Sequence, residues 1–263
     1  MENKRSSKQN FLTGAAILSI STIVVKIIGM FYKIPLKSVI GDAGYGYFSN
    51  AYDIYTFLLV LSTTGLPVAM SRMVSEARTL NNGRQMQRIF RVALSSYLVV
   101  GVLGTLAMVC FPGLLADKLM HSPLSSYSIL ALGPAVLFIC LASAFRGFFQ
   151  GQGDMRPTAV SQVIEALGKL ILGLSFAWLV MHFRNDPALA SGATILGITM
   201  GAGFSALYVF IKYSGNRKEV AALGGTAEPY KKTLKALLAI AVPITIGAAG
   251  LQLINLLDAS TVN

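Results

Sequence analysis

The chain has 263 residues, of which 54% are hydrophobic and only 13% are charged. Soluble proteins carry roughly 25% charged residues, so water is not the main solvent of this chain. The formal net charge of +11 would indicate nucleic-acid binding in a soluble protein. In a membrane protein it is typical of cytoplasmic loops and of contact with anionic lipid headgroups. Composition therefore predicts an integral membrane protein, with the lipid bilayer and not nucleic acid as its partner.

Seven apolar segments are each long enough to cross a membrane as a helix, which takes about 20 residues. The apolar runs are continuous and do not alternate, so they predict helices and exclude the strands of a barrel. The first ten residues are polar and basic, and the run after them is too long for the core of a signal peptide. The predicted spans are residues 11–31, 47–70, 92–111, 127–145, 158–181, 189–211 and 234–257.

The basic residues between these spans are unevenly distributed. With the N-terminus in the cytoplasm, 16 of the 22 lysines and arginines fall in cytoplasmic segments, and only four fall outside. This bias predicts a multi-pass protein of the cytoplasmic membrane with a cytoplasmic N-terminus.

One cytoplasmic connection divides the chain, because it is long and contains three glycines and a proline, which are typical of a linker. We therefore predict four parts. They are a cytoplasmic tail (1–10), a six-helix transmembrane lobe (11–213), a cytoplasmic linker (214–233) and the first helix of a second lobe (234–263).

Glycines and prolines within the spans have two interpretations each. Gly197 and Gly201 have the GxxxG spacing, which serves close packing within the bundle or dimerisation. Pro67, Pro134 and Pro243 indicate ordinary helix curvature or hinges for alternating access.

Four ionisable residues lie within predicted spans, where each costs roughly 2.5–3.5 kcal/mol at a helix centre. Lys26 either reaches the outer headgroups or faces a cavity, and a pair with Asp53 at similar depth is geometrically possible. Glu165 and Lys169 are four residues apart on one helix face. They form either a self-neutralised pair or a cavity lining in which Lys169 is available to an anion.

Polar residues near the ends of two spans complete the set. Arg146 closes the fourth span, where an arginine is usually an anchor to the cytoplasmic face. Gln252, Asn255 and Asp258 recur at three-residue steps and predict one polar face on the seventh span.

The sequence contains no motif of a soluble enzyme. There is no Walker motif, GxSxG or HExxH, and Cys110 and Cys140 lie in apolar runs without a metal-binding spacing. We therefore expect no enzyme activity, no cofactor and no metal. Kinked spans with buried charges favour a secondary transporter or flippase.

Two stretches resemble a known superfamily. Residues 51–76 and 146–165 are similar to the polysaccharide-exporter branch of the multidrug/oligosaccharidyl-lipid/polysaccharide (MOP) flippases, of the stage V sporulation protein B and lipid II flippase types. The matching signature residues are Arg146, Gly147, Gln150, Gly151, Pro157, Thr158 and Gln162.

The resemblance implies a fold and a function. Such proteins have two six-helix lobes around a cationic cavity, alternate between inward- and outward-open forms, and move undecaprenyl-pyrophosphate-linked sugars across the membrane. Lys26, shortly before Gly29, matches a basic position of lipid II flippases, and Lys33 is similar to a second one. With Lys169, these are the expected substrate-binding cations. The expected tuning or ion-coupling groups are Asp53, Glu165 and Asp258.

The chain departs from this pattern in two ways. Asp53 stands where relatives usually have proline, and the sequence ends after the seventh span, where family members continue for about as many helices again. We therefore expect the N-terminal half of such a protein, working with the missing half or a second copy. A cation-coupled multidrug exporter and a non-transporting scaffold for cell-wall assembly remain the alternatives.

Overall fold

The computed structural model describes residues 2–262, and the side chains of all of these except residues 2–12, 58, 61–63, 119, 251–253 and 255–262. Within this part the chain is helical apart from short connections, as the apolar runs predicted. A π-helical turn (Leu115–Leu119) and a 3-10 turn (Pro123–Ser125) follow the one-turn helix α4. The α-helices are α1 (Glu2–Thr63), α2 (Gly65–Thr79), α3 (Gly83–Cys110), α4 (Pro112–Leu114), α5 (Ser126–Gly151), α6 (Arg156–Arg184), α7 (Pro187–Ala222) and α8 (Tyr230–Val262).

Six helical stretches of the described chain are long and apolar enough to cross a membrane. The first of them, Thr13–Phe57, has 45 residues. At 1.5 Å per residue it would measure about 68 Å, more than twice the hydrocarbon thickness. It therefore contains two crossings, and counting them separately gives the seven that the sequence predicted.

Gly41 separates these two crossings. Its backbone has φ 70° and ψ 178°, a conformation that is essentially restricted to glycine. The ring centroids of Tyr32 and Phe48, on opposite sides of Gly41, are 6.1 Å apart, whereas sixteen residues of straight helix would separate them by about 24 Å. The first segment of α1 (2–40) and its second segment (42–63) thus fold back on each other.

The helix ends gather at two faces of the bundle. Connections 80–82, 152–155 and 223–229 meet at one end, which we call the basic face, where Asn82 Nδ2 donates a hydrogen bond to Thr226 O at 2.7 Å. Gly41 and the connection between α6 and α7 lie at the opposite face, where the first turn of α7 contacts Gly44.

Glycines allow α6 and α7 to touch through their backbones. A Cβ on Gly197 would lie 2.3 Å from the amide nitrogen of Gly173, and a Cβ on Gly201 would lie 2.9 Å from the carbonyl oxygen of Glu165. The GxxxG spacing of α7 therefore serves packing within the bundle, as the first of its two interpretations held. This contact fixes α6, which carries Glu165 and Lys169.

The signature glycines Gly147 and Gly151 act in the same way between α5 and α2. A Cβ on Gly151 would lie 2.7 Å from Ser71 O, and one on Gly147 would lie 3.2 Å from Pro67 Cα. Pro67 itself stands in the first turn of α2, after the break that separates α2 from α1. Hinge motion at this break stays a prediction.

The connection between α7 and α8 is shorter than the sequence indicated. Helix α7 continues to Ala222 and α8 begins at Tyr230, so only residues 223–229 of the predicted linker 214–233 are not helical. A single glycine, Gly215, does not end a helix, whereas Gly224 and Gly225 adopt positive φ and do. The division of the chain into two lobes stays a prediction.

The contact between α6 and α7 predicts the effect of a single methyl group. Gly197→Ala is expected to lower stability by about 1–3 kcal/mol, because the new Cβ would overlap the backbone of α6. Gly203→Ala, six residues away, is the control, since its Cβ would meet only the Phe138 ring at 3.7 Å. Thermal unfolding in detergent should show a lower midpoint for the first variant only. Equal midpoints for the two variants would contradict the close packing.

Candidate functional site

A cavity of about 400 Å³ lies between both segments of α1 and helices α5, α6 and α7. Its wall combines aliphatic side chains with a small group of charged and aromatic ones. The lining residues are Thr22, Val25, Lys26, Ile28, Gly29, Tyr32, Tyr52, Tyr55, Arg146, Gln162, Glu165, Ala166, Lys169 and Ile198.

Arg146 is the centre of the polar wall. Its Nη2 donates to Glu165 Oε2 at 2.8 Å and to Ser205 Oγ at 2.7 Å, and its Nε donates to Ser161 Oγ at 2.8 Å. One guanidinium thus joins α5, α6 and α7, and its side chain is only 12% exposed. The expectation that Arg146 is an anchor to the membrane surface is therefore wrong. It points into the bundle, where a carboxylate and two hydroxyl groups satisfy it.

Of the two interpretations of Glu165 and Lys169, the self-neutralised pair is not found among the described side chains. Both side chains line the cavity, as their four-residue spacing indicated, but Glu165 binds Arg146 instead. Glu165 pairs with Arg146 and not with Lys169 because the planar guanidinium of Arg146 binds the carboxylate and two serine hydroxyl groups at the same time. The ammonium of Lys169 does not match this geometry. Lys169 is thereby left to other partners.

Two tyrosine rings hold the ammonium of Lys169. Its Nζ lies 4.8 Å from the ring centroid of Tyr32 and 4.4 Å from that of Tyr52, and it donates to Tyr52 Oη at 3.3 Å. We call Tyr32 and Tyr52 the tyrosine cage. Cation–π contacts of this kind contribute about 0.5–2 kcal/mol each. The cage connects the two segments of α1 to α6.

The sequence did not identify these tyrosines as site residues. One available signal was the spacing of Tyr45, Phe48, Tyr52 and Tyr55, which places the four rings on one helix face with centroids 5.5–6.0 Å apart between neighbours. No sequence pattern relates Tyr32 to them, because its approach depends on the reversal at Gly41.

The other predicted cations divide between two sites. Lys26 is exposed, lines the cavity and forms no ion pair among the described side chains. Lys33 lies two helical turns further along α1. It lines a separate, open pocket of about 560 Å³ beside Gly41, together with Lys37 and Asp42. The prediction that Lys33 shares a cavity with Lys26 and Lys169 is therefore wrong, since Lys33 lines the pocket beside Gly41.

The predicted acidic residues also differ in position. Asp53 is half-buried and does not line the cavity, and the charge that acts on it is that of Lys33. The pair of Lys26 and Asp53 is not found among the described side chains, because Lys26 lines the cavity and Asp53 does not. Asp258 lies outside the described side chains.

The remaining signature residues support the cavity wall. Gln162 lines the cavity and accepts a hydrogen bond from Ser21 Oγ at 3.3 Å. Thr158 Oγ1 donates to Arg146 O at 3.5 Å, and Pro157 stands in the first turn of α6. Gln150 is half-buried at the end of α5 and does not line the cavity.

Among the described residues, no cluster of three or more histidine, cysteine, aspartate or glutamate side chains could hold a metal ion.

The charges on the cavity wall are not balanced. Among the described lining residues, Lys26, Arg146 and Lys169 face a single carboxylate, Glu165, which is already bound by Arg146. Two positive charges therefore remain, in surroundings of low polarity that strengthen their field. The arrangement suits an anionic ligand.

The fold of the described helices is similar to that of solved transporters of the MOP superfamily. The inward-facing conformation of a multidrug resistance MATE family transporter of that superfamily superposes with a TM-score of 0.71 at 15% identity, covering 91% of this chain and 55% of that one. At this identity the likeness shows the fold. A family model described as polysaccharide biosynthesis protein matches residues 11–262, and the chain belongs to this family.

Two curated relatives come from Bacillus subtilis (strain 168). Lipid II flippase MurJ is 28% identical over 266 residues, covering 96% of this chain and 49% of the relative. Stage V sporulation protein B is 28% identical over 241 residues, covering 91% of this chain and 46% of the relative. The chain thus spans about half the length of the curated relatives it matches, and the superfamily indicated by residues 51–76 and 146–165 is confirmed.

The Arg146 network predicts strong coupling between two residues. Arg146→Met is expected to cost about 3 kcal/mol, because Glu165 is left in the bundle without its cation. The double variant Arg146→Met/Glu165→Met should recover part of this loss. Unfolding by SDS in mixed micelles gives the free energies for a double-mutant cycle.

Arg72 and Glu76 form the control pair, since their side chains are 67% and 64% exposed. The same cycle on this pair should give a coupling below about 1 kcal/mol. Coupling energies of the same size for both pairs would show that Arg146 and Glu165 do not form a buried unit.

Proposed function

We propose that the chain is the first lobe of a flippase that moves polyprenyl-pyrophosphate-linked sugars across the cytoplasmic membrane. The observation that carries the proposal is the excess of two positive charges in a cavity where the only carboxylate among the described side chains is bound by Arg146. A pyrophosphate is the anionic part of such a lipid. The similarity to lipid II flippase MurJ supports the same reading.

The cavity cations have distinct parts in this proposal. Lys26 is exposed and unpaired among the described side chains, so it meets the pyrophosphate first. Lys169 lies deeper, in the tyrosine cage, and binds the second phosphate by a charge-assisted hydrogen bond. Arg146 keeps its carboxylate and contributes through the field of the network. The polyprenyl tail stays in lipid.

Transport in this proposal is a motion of the whole lobe. The lobe is taken to move as one unit, because glycine contacts pack α6 closely against α7 and α2 closely against α5. Rocking of this unit against the second half of the protein, or against a second copy, exposes the cavity to each side in turn. Lys33, beside Gly41 at the opposite face, is placed at the exit of this path.

A cation-coupled multidrug exporter of the same superfamily is less well supported. Binding of an organic cation calls for free carboxylates in the cavity. Of the carboxylates that the structure describes, only Glu165 lines it, and its Oε2 lies 2.8 Å from the Arg146 guanidinium.

Binding of undecaprenyl pyrophosphate tests the proposal. The wild-type chain in detergent should bind it, and Lys26→Ala and Lys169→Ala should each weaken binding about tenfold, since a hydrogen bond to a charged group contributes about 1.5–3 kcal/mol. Microscale thermophoresis measures the Kd.

Lys118→Ala and Lys218→Ala are the controls, because both side chains are exposed and neither lines the cavity. They should leave the Kd within about twofold, since surface charges far from the ligand are screened. An unchanged Kd in both cavity variants, or tighter binding of tetraphenylphosphonium than of the pyrophosphate, would refute the proposal.

We also propose that the basic face is cytoplasmic, which places the N-terminus inside. The distribution of lysine and arginine supports this orientation. Asp117 and Asp154 mark the two faces well, since both side chains are exposed and lie at opposite ends of the bundle.

Cysteine labelling in intact cells checks the orientation. In a Cys110→Ser background, Asp117→Cys should react with a membrane-impermeant maleimide, whereas Asp154→Cys should react only after permeabilisation. Cys140 is buried and should stay unlabelled in both. The reverse pattern of labelling would invert the topology.

A further inference from the structure

A third pocket, of about 420 Å³, lies at the basic face and is separate from the cavity. Four parts of the chain converge on it: the first segment of α1, the end of α2, the turn between α5 and α6, and α7. Its residues are Thr13, Gly14, Ile17, Arg78, Gln152, Gly153, Asp154, Met155, Arg156 and Asn216.

The turn that forms one wall is built for close contact. Gly153 has φ 79°, a conformation that favours glycine, and a Cβ there would lie 3.6 Å from Arg78 Nη1. On the other side, a Cβ on Gly14 would lie 3.1 Å from Met155 Cγ. The backbone thus brings the N-terminal part of α1 and the end of α2 against one turn of the family signature.

Two guanidinium groups in this pocket have no partner among the described side chains. Arg78 and Arg156 form neither an ion pair nor a side-chain hydrogen bond there. The one carboxylate among the described lining residues, Asp154, accepts the backbone N–H of Arg156 at 3.1 Å, at the start of α6. Positive charge therefore exceeds negative charge in the pocket.

A buried amide gives the second, independent sign of a ligand. Gln152 is only 8% exposed, and its Nε2 has no hydrogen-bond partner in the described structure. The Oδ1 of Asn216 is buried and unpaired as well. An unpaired buried polar group costs about 1–3 kcal/mol, so two of them in one pocket indicate that something else pairs with them.

The donors and acceptors define the chemistry of that ligand. Two guanidinium groups and an amide N–H bind phosphate oxygens, and guanidinium matches phosphate geometry well. The unpaired acceptor on Asn216 suits a hydroxyl group. Helix α6 adds little, because Pro157 lacks an N–H and the N–H of Arg156 is taken.

The geometry points to a site for a phosphodiester that carries hydroxyl groups, as in a glycerophosphate lipid headgroup, bound by Arg78, Arg156, Gln152 and Asn216. The location agrees with a headgroup, since the pocket lies at the end of the membrane-crossing segments and includes Ile17 of the first one. Basic pockets between helices at this level suit anionic lipids. The site is independent of the flippase proposal, because it shares no residue with the cavity.

Native mass spectrometry of the detergent-released chain, titrated with dioleoyl-phosphatidylglycerol or dioleoyl-phosphatidylcholine, tests the site. We expect one phosphatidylglycerol to bind about tenfold more tightly than phosphatidylcholine. Arg78→Ala/Arg156→Ala should remove this preference. Arg84→Ala/Arg217→Ala removes two exposed charges from the same face without touching the pocket and should largely keep it. Equal losses in both double variants would overturn the proposal.

Gln152 gives a test that leaves the surface charge unchanged. Gln152→Leu should weaken phosphatidylglycerol binding while thermal stability is kept, because an unpaired buried amide is removed. If the leucine variant does not fold, Gln152→Glu serves instead, since its carboxylate should repel the phosphate. Unchanged affinity in a folded variant would overturn the assignment of Gln152.

Soluble competitors distinguish the source of the phosphate. Glycerol 3-phosphate and inorganic phosphate should compete weakly if a membrane headgroup is the ligand, which supports the lipid form of the proposal. Competition by inorganic phosphate as effective as that of the lipid supports the phosphate site with a soluble source. If phosphatidylglycerol, glycerol 3-phosphate and inorganic phosphate all fail to bind, the site is overturned. None of these outcomes depends on Lys26 or Lys169, so they are separate from those of the flippase proposal.

Discussion

The buried guanidinium of Arg146 is the interaction on which the rest of the site depends. A charge placed among apolar helices is stable only when it is paired and hydrogen-bonded, and Arg146 meets this condition through Glu165, Ser161 and Ser205. Because Glu165 is used in this way, it does not neutralise Lys169. The positive character of the cavity is therefore a consequence of where one carboxylate is bound.

Close helix packing makes that arrangement possible. Ser205 belongs to α7 and Glu165 to α6, and the two helices approach through Gly197 and Gly201 with no side chain between them. Larger residues at these positions would separate the helices and lengthen the bonds that Arg146 makes. Small residues at one level of the bundle thus set the electrostatics at another.

Much of this fold could be predicted from the sequence. Of the site, the sequence predicted several lining residues but not the contacts between them. Continuous apolar runs gave the helices and the seven crossings, because a bilayer leaves few alternatives for the backbone. Lys26, Glu165 and Lys169 were found for the same reason, since charges inside apolar runs are conspicuous. Their partners were not found. The choice of Arg146 by Glu165, and of Tyr32 by Lys169, depends on the angle between helices and on the reversal at Gly41, which one-dimensional spacing does not specify.

Under the proposed function, the tyrosine cage has a consequence for how long the bound anion stays. The ammonium of Lys169 has two aromatic faces and one hydroxyl group as partners. An incoming anion replaces these contacts instead of meeting a bare charge, so the net gain is smaller than the direct interaction. Such a cation discriminates against weakly charged ions and sets an upper limit on affinity. A carrier that must let go of its cargo at the far side benefits from a resting state that competes for the same charge.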